Sequence, residues 1–96
     1  MHNTLGVHET FAERLRWARE TAGLTTRQLA TAAGVSPSYP SAIECKQFAS
    51  PTVAALEKLA TALGVTFEWL HSGRGRRPAV ATLKKRGQQL KGGRAA

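Results

Sequence analysis

The chain has 96 residues, 42% of them apolar, and a formal net charge of +8. That length supports one small core and no second one, and such a core buries only roughly 60% of its unfolded surface. No apolar run approaches the ~20 residues of a membrane span, Met1-His2-Asn3-Thr4 carries no signal-peptide pattern, and the single Cys45 leaves no internal disulfide to form, which fits a reducing cytoplasm.

Residues 1–9 read as an N-terminal arm. Thr10, with Glu13 three residues later, is a capping-box pair that predicts a helix start. Phe11, Leu15, Ala18 and Ala22 then recur at helical spacing, and Gly23 stands where a helix stops. Arg14, Arg16 and Glu20 fall off that stripe and are expected in solvent, and Trp17 is either a half-buried flank residue, the preferred reading, or a partner contact. Thr25 and Gln28 repeat the cap pattern for a second, shorter helix ending at Gly34, with Leu29, Ala30 and Ala33 on its inner face. Ser36-Pro37 gives a cap and first position for a third helix, and Ser50-Pro51 gives the same signal for a fourth. In that fourth helix Val53, Leu56, Leu59, Ala60 and Leu63 form the strongest apolar stripe of the chain, closed by Gly64. Thr66 caps a last short helix holding Phe67, Trp69 and Leu70, ended by Gly73. No segment shows sustained strand alternation. A compact all-α domain of five helices over residues 10–73 is expected.

The character changes at residue 74. Up to Gly73 six basic residues balance six acidic ones, whereas residues 74–96 hold eight basic residues and no acid. All the excess charge therefore lies in a C-terminal tail, where it adds affinity for a polyanion irrespective of sequence. Arg74, Arg76, Arg77, Lys84, Lys85 and Arg86 are its candidate phosphate contacts. Val80, Leu83 and Leu90 give only a weak helical face around 79–91, too little to hold a helix in isolation. The tail is expected to be flexible, disordered or partly helical.

Taken together, these elements resemble a lambda-repressor-like helix-turn-helix domain of the Cro/Xre type. The resemblance rests on Leu15-Arg16 with Arg19 and Gly23-Leu24-Thr25, on Gln28-Leu29-Ala30 with Gly34-Val35-Ser36, on Ser41-Ala42-Ile43-Glu44, and on Ala62-Leu63-Gly64-Val65 with Trp69-Leu70. It covers residues 11–73. Such a domain sets its second motif helix, here 36–46, into a DNA major groove. The resemblance implies an ion pair between Arg19 and Glu44, and phosphate contacts from Thr25, Thr26 and Arg27 at the start of the second helix, with Thr26 standing where relatives often carry glutamine. It also implies base contacts from Ser36, Pro37, Ser38 and Ala42, with Tyr39 and Ser41 nearby. Cys45, Lys46 and Gln47 follow as backbone contacts, Lys46 replacing a frequent glycine.

Two features depart from a routine member of that family. The reading set contains no Arg, Asn or Gln, the residues whose bidentate base contacts give ~1–3 kcal/mol of discrimination each. Selectivity would then rest on serine hydroxyls, contacts with thymine methyl groups, the Tyr39 ring and DNA shape. Pro40 also stands where relatives place a branched aliphatic residue. Proline lacks an N–H and disfavours helical geometry at the residue before it. Either the third helix begins at Pro37 and loses only its first hydrogen bond, the preferred reading, or Pro40 is its first residue and 36–39 form an extended lead-in. Both weaken it.

His2, His8 and His71 are scattered, and Cys45 has no partner at zinc spacing, so no metal site, cofactor or enzymatic constellation is expected. The leading expectation is a bacterial or phage-encoded, nucleoid-associated regulator, a repressor that binds double-stranded DNA as a homodimer, whose pairing surface the resemblance puts on the last helix and Trp69–His71. Two others remain open: a protein-interaction module with a degenerate reading helix, antitoxin-like or binding a polymerase or phage-protein partner, and a non-specific nucleic-acid binder driven by the tail.

Overall fold

The computed structural model describes residues 10–45 and 51–92; the N-terminal arm, Lys46 and Gln47 lie outside the described residues. Helix α1 spans Phe11–Ala22, α2 Thr26–Ala33, α3 Tyr39–Glu44, α4 Val53–Leu63, α5 Phe67–Ser72 and α6 Val80–Gly92. Among the described residues there is no strand, and no helix is long and apolar enough to cross a membrane.

Local chemistry sets most of the boundaries. The Thr10 hydroxyl accepts from the Glu13 N–H while the Glu13 carboxylate accepts from the Thr10 N–H, a closed capping box. Thr25 and Gln28 build the same reciprocal pair at the start of α2. Thr66 caps α5 with its hydroxyl. At α4 the cap is Thr52, whose hydroxyl accepts from the Ala55 N–H, while Ser50 lies outside the described residues. Val53, the first residue of α4, is consequently outside the core at 59% exposure.

The core is assembled from Leu15, Ala18 and Ala22 of α1, Leu29 and Ala30 of α2, Ile43 of α3, Leu56, Leu59 and Leu63 of α4, and Trp69 and Leu70 of α5, all buried. Helix α4 packs against α2 and α5, while α1 lies across α3, α5 and α6. Between α2 and α3, Gly34 adopts φ 74°, and its N–H is bonded to the Ala30 carbonyl. A side chain is strained in that left-handed region, so glycine makes the turn sharp enough to lay α3 back on the core.

Among the described residues there are six helices, not five, and α6 is the addition. Residues 80–92 form it, close to the weak helical face read at 79–91. It is packed, not a free tail: Leu83 is fully buried, and Gly87 lies so close to the backbone of Ala22 that any Cβ would collide with the Ala22 carbonyl oxygen. The apolar stripe of α6 is too narrow to sustain an isolated helix, but the body of the domain supplies the missing surface.

Candidate nucleic-acid interface

Helix α3 begins later than Pro37 and without the extended lead-in. Pro37 and Ser38 form a turn, with Ser38 helical at φ −88° and ψ −6°, and the helix opens at Tyr39 with Pro40 as its second residue. Pro40 has no N–H to offer the Ser36 carbonyl, and the Tyr39 N–H takes that oxygen at 2.9 Å. The missing bond is thereby replaced by a tighter turn. Ser38 makes no side-chain cap bond, and its hydroxyl stands 3.4 Å from that of Ser36.

Burial sorts the residues of the motif. Pro40 and Ile43 face the core, Tyr39 and Ala42 are half-buried, and Ser36, Pro37, Ser38, Ser41 and Cys45 are exposed. At the start of α2, Thr25, Arg27 and Gln28 are exposed and Thr26 is half-buried. The Thr25 hydroxyl oxygen already serves its own helix, which leaves its O–H as the group that can donate outward.

Arg19 and Glu44 fix α3 to α1. The Arg19 Nε and Nη2 donate to the two carboxylate oxygens at 2.8 and 2.9 Å, a bidentate pair, and Nη1 donates to the Leu24 carbonyl at 2.8 Å. Arg16 adds a second cation 3.5 Å from the same carboxylate. The bond to Glu44 raises the Arg19 pKa further above its ordinary value. This matters beyond stability. Glu44 is the one acid between Glu20 and Glu57, and its side chain is 4% exposed. The stretch 21–43, with the starts of α2 and α3, therefore presents no negative charge to solvent.

Arg14, expected in solvent, is instead buried, 4% exposed. Its Nε donates to the Leu70 carbonyl at 2.9 Å and its Nη2 to the His71 carbonyl at 2.7 Å. It thus satisfies the last turn of α5, where helix carbonyls lack partners and a cation is favoured. Burial lowers its pKa from the ordinary arginine value. The available signal is positional: residue 14 lies three after Phe11 and four before Ala18, at the border of the inward stripe. Trp69 and Leu70 are buried as well, so of Trp69–His71 only His71 is exposed, stacked on Phe67 at 5.3 Å. The expected pairing surface is not available as read, because Trp69 packs edge-on against Trp17 inside the domain.

The six candidate phosphate contacts after Gly73 divide into three groups. Arg74 and Arg76 are exposed in the connection, and Lys84 and Lys85 are exposed on α6. Arg77 lies over the Trp17 ring at 4.6 Å. Arg86 is turned inward, donating to the Ala62 and Thr61 carbonyls at 2.9 and 3.1 Å. It closes the end of α4 and is not a free phosphate contact, because docking of Leu83 and Gly87 aims its side chain at α4.

Residues 10–70 match a family described as "Helix-turn-helix domain". The chain belongs to that family. A curated relative, the HTH-type transcriptional repressor RghR of Bacillus subtilis (strain 168), is 45% identical over 62 residues, which are 65% of this chain. The match spans 46% of that relative, so the helix-turn-helix chain covers about half its length. A solved structure, described as a hypothetical transcription factor NHTF from Neisseria, superposes with a TM-score of 0.61 at 28% identity, over 73% of this chain and 79% of that one.

Proposed function

We propose that this helix-turn-helix chain is a sequence-specific DNA-binding transcriptional regulator, a repressor, with α3 set in the major groove. Glu44 carries the reading: it is the only acid in the sequence from α2 to the end of α3, and it is folded inward against Arg19 and Arg16. That leaves a polar edge from Ser36 to Ser41, flanked by Thr25, Thr26 and Arg27, without negative charge. A polyanion meets no repulsion there, and the positive end of the α2 dipole favours a phosphate. Base contacts fall to Ser36, Pro37, Ser38, Ser41 and Ala42, with Tyr39 beside them. Serine hydroxyls both donate and accept, so much of the selectivity comes from groove shape and from thymine methyl groups. One six-residue helix reads few bases, and pairing of two copies on a two-fold symmetric site extends the contact.

Selection from randomised double-stranded DNA at physiological salt tests this. The expected result is an enriched motif with two-fold symmetry. Retention without any enriched motif would make the chain a charge-driven binder. No retention would move the function to a protein partner.

A further inference from the structure

Lys91 stands far from α2 in the sequence, yet its place in the fold brings it beside that helix. Three approaches place the segment that holds α6. Arg77 stands over Trp17, Gly87 against Ala22, and the Lys91 Nζ lies 3.3 Å from where a Gly23 Cβ would stand. The end of α6 thus arrives at the turn that leads into α2. There Leu90 and Lys91 face Arg27, Gln28, Thr31 and Ala32 across an open cleft of about 500 Å³. The cations Lys91 and Arg27 share its wall, both exposed. The only acid on the last two turns of α1, Glu20, has Arg16 at 4.0 Å and Arg19 at 3.7 Å.

We infer that the docked end of α6 is a backbone-binding arm, in which Lys91 and Arg27 together grip the DNA phosphate strand beside the start of α2. This rests on the DNA-binding reading. The arm is rigid. A flexible tail would scatter its cations, whereas Gly87 and Leu83 clamp α6 to the body and hold Lys91 at one place relative to α3. The interaction is with phosphate and carries no sequence preference, so it sets register and affinity together.

The test is the salt dependence of DNA affinity for the full chain, on the selected motif and on a mixed-sequence duplex. Each phosphate no longer neutralised flattens the slope of log K against log salt by ~0.9. Lys91→Ala and Arg27→Ala are each expected to do so equally on both duplexes, and the double variant by ~1.8, while Lys91→Arg keeps the original slope. An unchanged slope in Lys91→Ala, with normal melting, would overturn the arm but leave the regulator intact. So would an altered motif in place of an altered slope. Failure of the unmodified chain to bind either duplex would remove both readings at once.

Discussion

Helix α2 carries its own terminations: the Thr25–Gln28 box at one end, and Gly34 in the left-handed region at the other. Helix α3 has neither. It follows the Gly34 turn with no side-chain cap at Ser38, a proline as its second residue, and only six residues of length. It is held from outside, by Pro40 and Ile43 in the core and by the Arg19–Glu44 pair. Helix α3 is thus positioned by its neighbours, while the helix beside it is largely specified by its own sequence.

The contrast between the two helices breaks most sharply at Glu44. Glu44→Ala leaves the Arg19 guanidinium without its carboxylate and is expected to cost about 3 kcal/mol in denaturant unfolding. A loss below about 1 kcal/mol would mean that α3 is anchored by its apolar neighbours alone. Gly87→Ala comes next, because its new methyl collides with the Ala22 backbone and releases α6. Exposing Leu83 then costs about 2 kcal/mol, read from the same unfolding midpoint. An unchanged midpoint would show that α6 does not depend on this close approach.

The caps provide the paired test. Thr25→Ala should cost ~1 kcal/mol, since it opens a closed box, whereas Ser38→Ala should stay within ~0.5 kcal/mol because Ser38 makes no cap bond. Equal effects would erase the contrast between α2 and α3. A small effect of the opposite sign is expected at Pro40. Pro40→Val restores an N–H for the Ser36 carbonyl, a gain of ~1 kcal/mol, partly offset by ~0.5 kcal/mol of added freedom in the unfolded chain. A rise in Tm of about 2–4 °C is the expected outcome, and no rise would show that the Tyr39 turn already compensates in full.

Much of the domain is legible in the sequence because its signals are local. Thr10 with Glu13, Thr25 with Gln28, and the glycines at 23, 34, 64 and 73 each act within one turn of chain, and each stands at a helix end. The residues that depart from expectation share the opposite property. Arg14 finds its acceptors 56 and 57 residues away, on α5. Arg86 finds its own on α4, 24 and 25 residues back. Neither pairing has a side-chain signal, because the acceptors are main-chain carbonyls at helix ends.

By itself, the sequence determined the all-helical class, the turn between α2 and α3, and the surplus of positive charge after Gly73. These follow from periodicity, capping and composition, which need no knowledge of the fold. Only the tertiary structure decided that Glu44 is turned inward, that Arg14 and Arg86 close helix ends, and that the basic segment after residue 79 is a docked helix. A side chain's neighbours across the core are set by packing, and a weak apolar stripe becomes a stable helix only when another surface completes it.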